Sequence, residues 1–188
     1  LHFSETATLA GGDGTRVTVA GQLNNAGRMT SATDLNLIAN EVSNTGTLGA
    51  GANLMLTADT ALNRDGLIFS GGDMQLLSTT FTNAYATVYG LGDVLIAKDT
   101  DHNQADLLDN RSGTVESAQN LSIRAMTVNN VRDVLEYTAQ EKSSVTITEL
   151  DCNLIPGAGC DFRRKGRRNG LWQIDETDRL NVTRSTAA

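Results

Sequence analysis

The sequence predicts an all-β chain: a right-handed parallel β-helix of about 19–20 residues per coil, followed by a β-hairpin-like excursion. Three observations predict it. The chain repeats itself in rows of nearly constant length. Each row ends in a short stretch that alternates apolar and polar residues. The composition suits a narrow interior, with aromatics at 4%, a single proline and 18 glycines. A compact globule of this length fills its centre with more Phe, Tyr and Trp, whereas a thin core needs small and branched aliphatic side chains.

The rows begin with a degenerate unit, Leu9–Ala20, and then run in order. They are QLNNAGRMTSATDLNLIA (22–39), EVSNTGTLGAGANLMLTA (41–58), ALNRDGLIFSGGDMQLLS (61–78), TFTNAYATVYGLGDVLIA (80–97) and LLDNRSGTVESAQNLSIR (107–124). The apolar residue opening each unit falls at Leu23, Val42, Leu62, Phe81 and Leu108. The one that follows Asn or Asp falls at Leu35, Leu54, Met74, Val94 and Leu121, at spacings of 19, 20, 20 and 27. The last interval therefore carries about seven extra residues, within KDTDHNQAD (98–106). A further unit begins at Val128 with Asn129 and Asn130.

Each unit holds three apolar patches, near Leu23, near Met29 and across Leu35–Ile38 in the first row. The third patch alternates with period 2 (L-N-L, L-M-L, M-Q-L, V-L-I, L-S-I), which is the strand signature. Between patches lie Gly, Asn, Asp and Ser, which accept left-handed backbone or bond back to it. No unit keeps a 3.6-residue period, so helical repeats are excluded. Three short strands and three corners complete one coil, and stacking pairs each strand with its counterparts about 4.8 Å above and below. One coil cannot bury its apolar face alone, but five or six can. Right-handed winding follows from the usual hand of parallel crossovers. Equivalent asparagines, Asn25, Asn44, Asn83, Asn110 and Asn130, then form a column at one corner, where amides in register hydrogen-bond to one another. In the 61–78 row Arg64 occupies that column, with Asn63 just before it.

The pattern L-x-N-x-G-x-(L/I/M)-x-(S/A)-x-x-(D/N)-(L/M/V)-x-(L/I) resembles the filamentous haemagglutinin repeat. LNNAGRMTSATDLNL and LNRDGLIFSGGDMQL carry it most plainly, and the resemblance covers about residues 10–130. That family comprises large exoproteins exported by Gram-negative bacteria through two-partner secretion, both adhesins and contact-dependent growth-inhibition toxins. The resemblance implies a non-catalytic shaft, secreted or held on the bacterial cell surface, that presents a distal adhesive or toxic element. The implied partners are an outer-membrane two-partner-secretion transporter, engaged through parts outside this segment, and a target-cell receptor or glycan. The chain starts at Leu1 with neither Met nor a signal-peptide pattern, so its targeting information is expected elsewhere.

Beyond the coils (1–134), residues 135–188 are expected to form a hairpin arm with a strand returning to the shaft. SSVTITEL (143–150) and TDRLNVTRS (177–185) alternate with strand period, and the second is expected to pair antiparallel with the first. Cys152 and Cys160 bracket CNLIPGAGC, whose Pro and Gly permit the reversal a disulfide needs; two free thiols are the alternative. Next comes the basic run Arg163, Arg164, Lys165, Arg167 and Arg168, and then Trp172. Arg and Trp favour interfaces, and five cations in six residues suit a phosphate, a sulfated glycan or an acidic loop. The competing assignment is an exposed hairpin tip whose charges stay in water.

Other classes find less support. The charge is −9 over residues 1–150 and +2 over 151–188, so the long part is unsuited to nucleic acid. No run approaches the ~18 apolar residues of a membrane span. GTLGAG (46–51) lacks the Lys-Ser/Thr of a phosphate loop and no helical pattern follows it, so no nucleotide cofactor is expected. DTDHNQADLLD begins like a calcium loop with Asp99, Asp101 and Asn103, but Gln104 replaces the turn glycine and Asn110 the closing Glu. It is expected to be a solvated insertion. His2 and His102 lie far apart, so no zinc site is expected. Some polysaccharide lyases and glycosidases are β-helices, which keeps a carbohydrate-active enzyme as the alternative from another class. Those sites need clustered acids on one strand face.

Overall fold

The computed structural model describes residues 1–132, 136–139, 144–148, 171–175 and 180–183. They belong to two compact units, built on Leu1–Val134 and Leu135–Ser185. The first unit is a parallel β-solenoid of about six turns. One face stacks Thr8–Gly11, Arg28–Ser31, Thr47–Ala50, Leu67–Ser70, Thr87–Gly90 and Thr114–Ser117, all parallel and in chain order. The second face stacks Thr15–Thr18, Leu35–Ile38, the start of Leu54–Arg64, the start of Met74–Ala84, Val94–Ala97 and Leu121–Ile123. The third takes His2–Phe3, Gln22–Asn25, Glu41–Asn44, the ends of Leu54–Arg64 and Met74–Ala84, Ala105–Arg111 and Ala125–Val131.

Alternation along each strand sends every second side chain inward, and register stacks like on like. The columns Leu35–Leu54–Met74–Val94, Leu37–Leu56–Leu76–Ile96 and Met29–Leu48–Ile68–Val88 are all buried. Fully burying such side chains contributes about 1.5–3 kcal/mol each. The core is narrow, so bulk in one coil is offset by its neighbours. Phe81, fully buried, stands in register above Ala61. Ser31, Ala50 and Ser70 keep the inner edge of the first face small.

Two expectations need correction. Ala61, not Leu62, points inward opposite Val42 and Phe81, and Asn63, not Arg64, pairs with Asn44 and Asn83. The repeat is 19 residues from Asn44 to Asn63 because the extra residue of the row lies after the asparagine, in the corner. It is Asp65, which takes a left-handed backbone at φ 55°. Tyr85 (φ 54°) and Ser112 (φ 48°) fill the same place in later coils. The amides of Asp65, Tyr85 and Ser112 each donate to the residue after the next coil's asparagine, at Ala84, Arg111 and Val131. The widened corner therefore stacks as regularly as the strands do.

The second correction concerns the other unit. Ser144–Thr148 pairs antiparallel with Leu171–Asp175, and Leu180–Thr183 pairs instead with Glu136–Ala139. The pairs are nested, so the strand nearer in sequence takes the inner partner. Leu171, Trp172 and Ile174 have the stronger β-propensity and claim that position.

Candidate functional site

The polar groups of the solenoid are organised in two columns. The inner one is the asparagine ladder. Asn25 donates its side-chain amide to Asn44 Oδ1 at 2.7 Å, Asn44 to Asn63 at 2.7 Å and Asn63 to Asn83 at 2.9 Å. Asn83 donates to Asn110 at 2.8 Å, and Asn110 to Asn130 at 2.8 Å. The second amide hydrogen goes to the backbone. Asn25, Asn44, Asn63 and Asn83 donate to the carbonyls of Thr47, Leu67, Thr87 and Thr114 in the coil above. Buried amides without such partners would each cost roughly 1–3 kcal/mol. Phe3 stands in register below Asn25, so Asn25 Oδ1 is buried without a donor among the described residues.

The outer column was visible in the sequence only as the Asn or Asp preceding each apolar strand; the structure shows what joins its members. Asp34 Oδ1 accepts from the backbone and side-chain amides of Asn53 at 3.0 and 3.1 Å. Asn53 Oδ1 accepts from the Asp73 amide, and Asp73 Oδ1 from the Asp93 amide, each at 2.9 Å. Asp93 Oδ1 accepts both amides of Asn120 at 3.0 and 2.9 Å. Each side chain therefore holds the corner of the coil above. A shallow groove beside this column is lined by Asp34, Asn36, Asn53, Met55, Asp73 and Gln75.

Contacts within the 98–106 insertion are local. Asp99 Oδ1 accepts the amides of Asp101 and Asn103 at 3.1 Å, and its Oδ2 accepts from Asn103 Nδ2 at 2.8 Å. The Asn103 side chain and backbone hold the Asp99 carboxyl below its ordinary range. His102 takes φ 61° and donates its amide to the Asp99 carbonyl, closing the turn. Lys98 reaches Asp106 at 3.9 Å, both exposed. Among the described residues no three His, Cys, Asp or Glu side chains come together as a metal cage. A buried exception to the solvated acids is Asp109, whose Oδ2 accepts from Arg111 Nε at 2.7 Å.

On the outside of the first face Phe69 and Tyr89 are neighbours in register, with Gly49 below Phe69. A Cβ at Gly49 would lie 2.9 Å from Phe69 Cδ1, so the ring occupies the space the glycine leaves. Cys152, Cys160, Arg163, Arg164, Lys165, Arg167 and Arg168 lie outside the described residues. Trp172 stands in Leu171–Asp175, opposite Ile147. Of the residues that the sequence singled out, Asn25, Asn44, Asn83, Asn110 and Asn130 join coil to coil, whereas Asp99, Asp101 and Asn103 bond within their own insertion.

A family model described as the haemagglutinin repeat matches residues 4–108 and again 96–142. No curated protein and no solved structure matches the chain.

Proposed function

The chain belongs to the haemagglutinin repeat family, and on that premise we propose that its coils are a non-catalytic shaft segment of a large adhesin-type exoprotein, secreted or exposed on the bacterial surface. The shaft holds a distal adhesive or toxic element away from the cell that makes it. Export uses an outer-membrane transporter of the two-partner type. The observation that carries this reading is the unbroken asparagine ladder from Asn25 to Asn130, in which the polar groups of each coil are committed to the next. Such an element transmits position from coil to coil.

The test is a deletion of one whole coil inside the full exoprotein. A shaft that loses residues 42–60 keeps secretion and target-cell binding and only shortens its reach. Loss of binding, with the protein still secreted, would remove the shaft reading. Release of new reducing or unsaturated ends from a polysaccharide panel would favour the enzyme alternative instead.

A second reading concerns the other unit. The basic run Arg163–Arg168 falls in the segment joining two antiparallel partners, Ser144–Thr148 and Leu171–Asp175, and this supports an arm that contacts an anionic glycan or receptor itself. Changing its five cations to Ser should then abolish target-cell binding at unchanged surface display. Unchanged binding would leave the shaft reading alone.

A further inference from the structure

The groove beside the outer column has the same plan at both ends. The 22–39 row presents Asp34 and Asn36 on either side of Leu35, and the 61–78 row presents Asp73 and Gln75 on either side of Met74. Between them the 41–58 row presents Asn53 and Met55. Asp34 bonds Asn53 and Asn53 bonds Asp73, while Asn36, Met55 and Gln75 are register partners. Each carboxylate uses Oδ1 on the coil above, Asp34 on Asn53 and Asp73 on the Asp93 amide. Oδ2 of each makes no hydrogen bond among the described residues, and neither does the Gln75 side chain. Asn36 Oδ1 is buried and has no donor there. Neither carboxylate has an ion-pair partner among the described residues, and Arg16, in register below Asn36, is exposed.

The groove therefore offers acceptors at its two ends and an apolar middle. Ionised aspartate oxygens only accept, so the partner each end lacks is a donor, and two uncompensated negative charges favour a cation. A primary ammonium group carries three donors and no acceptor, enough for one aspartate and one amide oxygen. Asn36 Oδ1 turns towards it about a soft terminal torsion. The ends stand two coils apart, about 10 Å. Asn53 between them brings no charge, and its carbonyl and amide are already bonded to Asp73 and Asp34. An aliphatic stem over Met55 joins two ammonium groups across that span, as a lysine stem covers apolar surface beneath its charged head. A single exposed ion pair is worth little, but two joined by one stem reinforce each other through effective concentration. An anionic ligand would meet two carboxylates of its own sign. The groove's volume of about 340 Å³ lies at the small end of ligand sites.

We propose that the groove lined by Asp34, Asn36, Asn53, Met55, Asp73 and Gln75 binds a linear aliphatic polyamine. One ammonium group sits at Asp34 and Asn36, another at Asp73 and Gln75, and the stem lies over Met55. This goes beyond the shaft reading, which stands whether or not the groove is filled.

The experiment is calorimetric titration of the 188-residue chain with terminal propane-, pentane- and heptane-diamine and with heptylamine. A seven-carbon stem extends to about 10 Å between its nitrogens. Heptane-diamine is expected to bind about tenfold more tightly than propane-diamine, which reaches one end only, and than heptylamine, which carries one charge. In NMR the Asp34 and Asp73 carboxyl carbons and the Met55 methyl should shift with a single midpoint. Equal affinity across the series, or shifts confined to Asp99, Asp101 and Asp106, overturns the proposal. Asp34→Asn and Asp73→Asn each keep an oxygen for the corner amides and remove one charge. Each should lower heptane-diamine affinity to that of heptylamine. Asp59→Asn removes an exposed charge beyond the far end of the same strand segment, more than a screening length away, and should leave the affinity unchanged. An equal loss with Asp59→Asn overturns the proposal, because charge alone then accounts for binding. The length series needs no variant, so it decides even where a substituted chain loses its strand signal in circular dichroism.

Discussion

Asn63 donates its side-chain amide to Asn83 Oδ1 across 2.9 Å, with both side chains fully buried. Replacing Asn63 by Ala leaves Asn83 Oδ1 without its donor and takes from Asn44 one of its acceptors. An orphaned buried group costs about 1–3 kcal/mol. The Asn63→Ala chain is expected to unfold at lower urea concentration with an unchanged m-value. An unaltered midpoint would show that the ladder contributes nothing to stability.

Two glycine-to-alanine changes separate backbone crowding from side-chain crowding. A Cβ on Gly46 would lie 2.7 Å from the Ala26 carbonyl and nearer still to Gly27 O, and backbone cannot yield. At Gly49 it meets the ring of Phe69, which can rotate outward. Gly46→Ala should cost about 1–3 kcal/mol, lowering Tm by about 2–4 °C per kcal/mol. Gly49→Ala should cost clearly less. Calorimetry giving the reverse order would contradict this account of the corners.

Whole-coil deletion tests the register. Val42 and Ala61 are register partners, so removing residues 42–60 joins Glu41 to Ala61 with every inward residue still inward. Stability in stacked repeats is a sum of nearest-neighbour terms, so this chain should fold with a modest loss. Removing 42–59 instead leaves one extra residue, Thr60 after Glu41, beside the corner that follows Ile38. That chain should fold with the extra residue taken up in the corner and a larger loss of stability than the 42–60 deletion.

The insertion responds to acid. Asn103 holds the Asp99 carboxyl below the ordinary carboxylate value, so the turn's hydrogen bonds are present above the unfolded-chain value and are lost as pH falls through the lowered one. Asn103→Ala should raise the Asp99 titration midpoint, read from its carboxyl carbon by NMR. A midpoint that does not move would assign the shift to another neighbour.

Much of this was legible in the rows. Leu35, Leu54, Met74 and Val94 recur because the solenoid repeats one coil, and a periodic interior writes a periodic sequence. The 98–106 insertion was visible as a lengthened interval for the same reason. The outer column was seen only as a composition, because Asp34 and Asn53 are bonded by a stacking that no single row contains.

By itself the sequence determined the coil length, the parallel stacking and the family, since each follows from a period that survives substitution. Only the tertiary structure decided the register at the corner after Asn63. Ala61 and Leu62 are both apolar, so alternation alone leaves a one-residue slip undecided and favours the larger side chain. The choice rests with Asn63, whose amide can enter the interior only where Asn44 and Asn83 already wait to bond it. The extra residue is then left to Asp65, outside the ladder, at a corner where left-handed backbone can absorb it.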